Sequence, residues 1–466
     1  MRKFVYIVSL FSVLFLFGVQ CTPKEQVIVE ENFWENPTSL DLEEIQKRGF
    51  IRAIVDNSTT SYYIYKGRRM GYEFEMLKNL AAHLGVRLHL IVKSDIQEAF
   101  KLLNQGKADI IAMNFEVHES RFHLASFSEP LGQMGTVLVQ REGASKIQSW
   151  EELDGKTIHI RKDAIYKSQL CAIQEQYEIN LTIIESNLDS DALIKQVQAG
   201  KIAFTIADKV EALVNATYHS NLNIDWEIAP KADVAWAVRK NAPRLQEELN
   251  QWIDSKTGSG YVQTLYAKYF KNSNNSHYRS TSTFSSVAGN RISPYDEIIQ
   301  KGAEQLGWDW RLLASLVYKE SNFNSQAESY AGAQGLLQLM PVTLQRFGVQ
   351  NPQDPLESLM GGVNYLKYLD KFWKERVPET NERIQFILAS YNVGHGHVED
   401  AWRLAIKYGK NTQLWENVSI FLELKSNPMY YKDPVVKSGY AKGHMAVNYV
   451  EEILLIYESY RTLISP

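Results

Sequence analysis

Between Lys271 and Asn290 the chain reads KNSNNSHYRSTSTFSSVAGN, with Ser, Thr or Asn at 12 of 20 positions. A stretch without apolar periodicity cannot bury enough surface to offset its ordering entropy, so it reads as a flexible linker. It splits the chain into two units of different character. The whole has 466 residues, 45% of them hydrophobic and 22% charged, enough for a core in each half. That composition excludes intrinsic disorder, a collagen-like chain and a polytopic membrane protein. Lys and Arg number 50 against 54 Asp and Glu, a net charge of −4, so no nucleic-acid partner is expected. The only cysteines are Cys21 and Cys171. A disulfide scaffold and a cysteine zinc site are both excluded, and Cys171 reads as a buried apolar residue.

The N-terminus carries Arg2 and Lys3 before an apolar run from Phe4 to Val19, the layout of an export signal. The run is shorter than the ~20 residues of an ordinary spanning helix. Cys21 follows it where lipoprotein precursors carry the cysteine that is acylated, although Gln20 is not the small residue that usually precedes it. An uncleaved anchor is the alternative.

The half before the linker alternates strand and helix patterns. Phe50–Val55 and Val86–Val92 are strand-like, and Phe74, Leu77, Ala81 and Leu84 between them recur at helical spacing with Gly85 placed to end the helix. Asp109–Ala112, Thr157–Ile160 and Ala203–Ile206 are further strands. The alternation predicts an α/β fold with parallel sheets, and its length suggests two lobes. The half after the linker lacks strand patterns and reads as all-α. Leu312, Leu313, Leu316 and Val317 form one helical stripe, with further helices over Ile384–Tyr391 and Tyr440–Leu463.

Glu320 continues that stripe, where an apolar residue is expected. Desolvation on a buried face raises a carboxyl above its reference of ~4.3, and a carboxylic acid neutral near pH 7 is what general acid catalysis requires. A helix-end charge that reaches solvent or pairs with a basic side chain is the other reading.

Glu320-Ser321 is followed by Ser329, by Gly332-Ala333-Gln334-Gly335-Leu336-Leu337-Gln338-Leu339-Met340-Pro341 and by Ala389-Ser390-Tyr391-Asn392-Val393-Gly394. From about Ile292 onward the chain resembles the lysozyme-like catalytic domain of lytic murein transglycosylases, whose E-S, G-L-M-Q-x-M-P and A-Y-N-x-G blocks these match in order. It departs from them at Leu337 and Val393, where methionine and alanine are usual. The resemblance implies that Glu320 is the one catalytic carboxylate, acid first and then base, releasing a 1,6-anhydromuramoyl end without water. Ordinary glycosidases use two carboxylates, and spacing alone leaves Asp354 or Glu357 open as a second. The resemblance further implies that Tyr391 hydrogen-bonds the glutamate, Ser329 lines the site, Gln338 contacts substrate N-acetyl groups and Asn392 supports the loop. His395 and His397 have no further ligand beside them, so neither metal nor cofactor is expected.

In the front half, Gly71-Tyr72-Glu73-Phe74-Glu75-Met76-Leu77, Gly106-Lys107-Ala108-Asp109-Ile110-Ile111, Ser120-Arg121 and Phe127-Ser128-Glu129-Pro130 occur in order. They resemble the family 3 periplasmic solute-binding proteins, whose two α/β lobes close on a cleft. The chain then crosses between lobes near Gly132–Val139 and Ile228–Ala235, making the first lobe discontinuous. The resemblance implies that Arg121 grips a ligand α-carboxylate and Asp208 its α-ammonium. Tyr62, Tyr63 and Tyr65 either line the cleft or pack on a lobe.

The expected architecture is thus a two-lobed α/β periplasmic-binding-protein-like domain followed by an all-α lysozyme-like domain. Its divisions are a signal or anchor over 1–20, a tether over 21–47, the binding domain over 48–270, the linker over 271–290 and the catalytic domain over 291–466. A binding module joined to a lytic domain behind an export signal resembles the membrane-bound lytic murein transglycosylases. That implies peptidoglycan strands as substrate, an amino-acid or muropeptide effector, and a place on the periplasmic face of the outer membrane, held by the N-terminal anchor. A lysozyme-type muramidase, a non-catalytic wall receptor and a transporter-associated binding protein are the competing readings.

Overall fold

The strand Phe50–Val55 buries Ile51, Ala53, Ile54 and Val55 on both of its faces, the pattern of a central parallel strand covered by helices. In the computed structural model, which describes residues 34–58, 60–113, 117–143, 146–162, 166–216, 221–271 and 282–466, it pairs in parallel with Arg87–Val92 and with Ile110–Ile111. The signal segment and Cys21 lie outside the described residues. Helices Tyr72–His83 and Ile96–Asn104 connect these strands. Gly85 follows the first at φ +67°, where a left-handed residue ends the helix without a Cβ penalty. The buried Asp109 carboxylate beside Ile110–Ile111 gathers Arg48, Arg52 and Arg239, tying the start and the return of the lobe together.

The chain leaves this lobe along Gly132–Arg141 and comes back along Glu227–Val234, two strands that pair antiparallel. Between them lies a second sheet in the order Leu222–Asn223, Gly132–Arg141, Phe204–Asp208, Thr157–Arg161, Thr182–Ser186. The returning chain adds Ala237–Val238 antiparallel to Ile110–Ile111 and to Ser126–Phe127. Both sheets are therefore mixed, where the alternating pattern predicted parallel ones. Each crossing brings a strand in from the opposite direction, and alternation of strand and helix cannot register that.

Cys171 is a second correction. It is exposed on helix Tyr166–Tyr177, which buries only Leu170 and so offers no interior to its neighbour.

The helical half packs Asp296–Leu306, Trp310–Ser321, Pro355–Trp373, Thr380–Val393 and Gly443–Leu463 around one core that includes Leu313, Leu316, Val363, Trp373 and Ile453. Of the stretch read as a flexible linker, Lys271 closes the helical turn Ala267–Lys271 and residues 282–290 are described and tied down. The Ile64 amide donates to Ser286 Oγ at 3.0 Å and Lys66 donates to the Phe284 carbonyl at 2.9 Å. Backbone donors and acceptors thus hold a segment that side-chain burial alone would leave loose.

These contacts reach a hairpin of the front domain, Tyr63–Tyr65 and Arg68–Met70. Its two-residue turn, Lys66-Gly67, has φ of 50° and 76°, the primed geometry that matches strand twist. The turn docks on the helical half. Tyr460 donates to the Gly67 carbonyl at 2.6 Å, and a Cβ on Gly67 would stand 2.3 Å from Phe323 Cε2. Tyr62 and Tyr63 are buried at the root of this hairpin.

Candidate active site

Trp310–Ser321 starts from Asp309, whose carboxylate accepts the Arg311 amide at 2.9 Å and pairs with the Arg311 guanidinium. It stops abruptly after Ser321 because Asn322 and Phe323 take φ of 51° and 60°. Consecutive left-handed residues without glycine are strained, and such strain persists only where surrounding contacts impose it. Here Ser321 Oγ donates to the Leu336 carbonyl at 2.8 Å, pulling the following loop against the helix end that carries Glu320.

That loop is stitched to itself. Ser329 Oγ accepts the Ala333 amide at 3.0 Å, and Gln338 donates its side-chain amide to the carbonyls of Ala327 at 2.9 Å and Gly335 at 3.0 Å. Ser358 Oγ accepts the Leu336 amide at 3.1 Å. Gly335 is held at φ +78° with the Pro352 carbonyl and Ser358 Oγ both 2.2 Å from where a Cβ would be, so only glycine fits. Tyr330 stands fully exposed at the loop's tip.

Glu320 is half-buried, and burial lifts its carboxyl from the ordinary 4.5 to about 7. Two weaker effects oppose the lift: a hydrogen bond from the Tyr449 hydroxyl to Oε1, and the charge of Lys319, itself paired with Glu452. No second carboxylate acts on Glu320 among the described residues. Asp354 instead caps helix Pro355–Trp373 by accepting the Glu357 amide at 2.8 Å, and Glu357 accepts the Gln350 amide.

The tyrosine on the glutamate is thus Tyr449, not the Tyr391 that the resemblance put there. Tyr391 lies in the same group, and the Glu320 charge adds to the burial that raises its hydroxyl. Its proton, however, goes to the Leu337 carbonyl at 2.5 Å, and its ring packs on Tyr365. Tyr391 therefore ties helix Thr380–Val393 to the loop floor. Asn392 is exposed in the last turn of that helix.

Tyr449 carries no signal in the sequence of the kind that marks Glu320, because a tyrosine on an apolar stripe reads as ordinary core. It lies on the buried face of Gly443–Leu463 with Ala446, Val450 and Ile453, a hydroxyl in an apolar stripe. Its neighbours on that helix reach the front domain, where Glu451 pairs with Arg87.

The two histidines are otherwise engaged. His395 packs edge-on against Tyr368 and Phe372, and His397 Nδ1 lies 3.0 Å from the buried Lys425 ammonium, which pairs with Asp400. Among the described residues no group of three or more His, Cys, Asp or Glu could hold a metal ion.

In the front domain Arg121 and Asp208 are both buried, one in each lobe. Arg121 ends the short turn Glu119–Arg121 in the first lobe. Asp208 ends strand Phe204–Asp208 in the second and accepts the Val210 amide at 2.7 Å.

Glu320 thus stands in the helical domain as a carboxyl held near neutrality and able to act as a general acid, behind a two-lobed α/β domain with a buried Arg121 in one lobe and a buried Asp208 in the other. Residues 297–414 match the family Transglycosylase SLT domain, and residues 51–272 match Bacterial extracellular solute-binding proteins, family 3. The first match ends before Tyr449.

Membrane-bound lytic murein transglycosylase F of Desulfosudis oleivorans is 34% identical over 415 residues, 89% of this chain and 90% of that protein. The protein of the same name from Pseudomonas fluorescens is 30% identical over 427 residues, 91% and 87% of the two chains. The chain belongs to the membrane-bound lytic murein transglycosylase F family and is a peptidoglycan lytic transglycosylase with an N-terminal solute-binding domain. Among solved structures, an amino acid ABC transporter substrate-binding protein from Streptococcus pneumoniae bound to L-arginine covers 50% of this chain and 98% of its own, at 21% identity and a TM-score of 0.45.

Proposed function

We propose that Glu320 cleaves the MurNAc–GlcNAc β-1,4 bond alone, in two proton transfers. The neutral carboxyl protonates the glycosidic oxygen as it leaves MurNAc C1. The resulting carboxylate takes the proton from the C6 hydroxyl of the same sugar while that oxygen attacks C1, closing the 1,6-anhydro ring and restoring the acid. An internal nucleophile brings high effective molarity and removes the need for a second carboxylate to activate water. The observation that carries this reading is the single carboxyl lifted to about 7 with no carboxylate partner. Digestion of purified sacculi in heavy-oxygen water tests it. The anhydro product takes up no label, whereas a lysozyme-type muramidase labels every new reducing end.

In this reading Ser329 and Gln338 shape the loop beneath the sugar, Gln338 turning its side-chain oxygen to the N-acetyl group, and Asn392 supports the far rim. Arg121 and Asp208 take the carboxylate and ammonium of an amino-acid or muropeptide effector. Acylated Cys21 holds the protein to the outer membrane on its periplasmic face. A Cys21→Ser chain found free of membranes after fractionation supports that anchor; an unchanged distribution contradicts it.

The effector regulates the enzyme through the docked hairpin. Its root pairs Tyr62 with Asn57, beside the end of the central strand, and its turn rests on Tyr318 and Phe323, which flank Glu320. Turnover of purified wall with and without stem peptides tests the coupling. An unchanged rate despite demonstrated binding contradicts it.

A further inference from the structure

Where the hairpin docks on the helical half, the two domains enclose a cavity of 450 Å³. Arg68, Arg69, Lys78 and Asn79 line it from the front domain, and Tyr318 and Ile456 from the helical one. Both arginines follow directly on the docked turn, in strand Arg68–Met70, and Lys78 lies on helix Tyr72–His83.

The lining is basic and offers donors. Among the described residues none of the three cations pairs with a carboxylate. Glu75, the one acidic side chain in the lining, is taken by Lys268 at 2.6 Å and by the Tyr269 hydroxyl at 2.5 Å. Arg69 is placed by the Phe74 ring, with its guanidinium carbon 5.3 Å from the ring centre. Burial raises the Tyr318 hydroxyl, and the charges of Arg68 and Arg69 oppose that rise from across the seam. Asn79 Oδ1 accepts the Trp252 indole N–H at 3.2 Å, which leaves its side-chain N–H groups to donate. Like charges gathered without a counter-ion call for an anion.

Size narrows the class. The volume is that of an ordinary organic-ligand pocket, far more than one small ion fills. Cations, amide donors and an aromatic wall together suit a short acidic peptide, with carboxylates for the cations and carbonyls for the amide. Peptidoglycan carries such peptides on its muramoyl sugars. Ile456 lies two helical turns beyond Tyr449 on helix Gly443–Leu463, about 10 Å along it. An extended peptide of about three residues spans that distance.

We propose that this interdomain cavity binds the carboxylate-bearing peptide stem of the glycan strand held at Glu320, so that both domains recognise the substrate. The proposal rests on Glu320 as the reacting group.

The test compares kcat/KM of the full chain on glycan strands that keep their stems and on strands stripped of them by an amidase. Wild type favours stem-bearing strands by about tenfold or more. The double variant Arg68→Gln/Lys78→Gln, both sites being exposed, loses most of that preference through KM. Should it fail to fold, Lys78→Gln alone lowers the ratio by about threefold. Stripped strands need Glu320 and not the cavity, so anhydro release from them reports on the catalytic reading separately. A wild type without preference, or an unchanged ratio in the folded variants, overturns the proposal. So does a ratio that Arg121→Gln abolishes and the double variant keeps, which traces the preference to the cleft between the lobes.

Discussion

Removing the Tyr449 hydroxyl isolates the one contact that opposes burial at Glu320 by direct hydrogen bonding. A hydrogen bond to a charged group contributes about 1.5–3 kcal/mol, and one pKa unit corresponds to about 1.4 kcal/mol. Tyr449→Phe therefore moves the carboxyl upward by about one to two units, from about 7 toward about 8–9. A general acid must be protonated in the free enzyme, so kcat/KM falls as pH rises through that value. The assay is the initial rate of muropeptide release from sacculi between about pH 5 and 10. The alkaline limb of Tyr449→Phe lies about one to two pH units above wild type, with a lower plateau because a weaker acid transfers its proton less readily. Tyr391→Phe is the internal control, because that hydroxyl serves the Leu337 carbonyl and its loss leaves the limb in place. An unmoved or acid-shifted limb in Tyr449→Phe refutes the reasoning.

The same carboxyl links activity to stability. Its folded value of about 7 exceeds the ordinary 4.5, so the folded state holds an extra proton between them; stability is full below pH 4.5 and is lost as pH rises through 7. Glu320→Gln keeps an acceptor for Tyr449 and abolishes that loss, so it is more stable than wild type by about 3 kcal/mol at pH 8 and equal to it at pH 4, read from denaturant melts. Gly67→Ala forces a Cβ onto Phe323 at positive φ and destabilises the docked hairpin by about 2–4 kcal/mol, seen as a lowered Tm of the full chain. Lys425→Met takes the fully buried cation from Asp400, which keeps Arg403 at 2.8 Å and the amides of Lys437 and Ser438, and costs about 1.5–3 kcal/mol by urea unfolding.

How far the site could be read from the chain depends on what each residue type signals by itself. Glu320 stands out because a carboxylate on an apolar stripe is anomalous. Tyr449 sits on a stripe of the same kind, but a tyrosine there is ordinary core, so only the bond to Glu320 separates it from Tyr460. Gln338 and Ser329 are conspicuous in the loop, yet what they hold is the loop's own backbone, a role that spacing cannot distinguish from substrate contact. In the front domain the strand–helix alternation gives the α/β class and its two lobes. The mixed strand directions depend on where the chain crosses between lobes, a long-range property with no local signature. The ordered end of the Ser- and Asn-rich stretch is hidden for a related reason: its partners are backbone groups some 220 positions away, at Ile64 and Lys66.

The central claim is that one carboxyl, Glu320, performs both proton transfers and that no water is consumed. Mass spectrometry of muropeptides released from purified sacculi by wild type and by Glu320→Gln tests it most directly. The account predicts anhydro-muropeptides from wild type and none from the variant. Reducing-end products one water heavier, or anhydro products released equally by Glu320→Gln, contradict it.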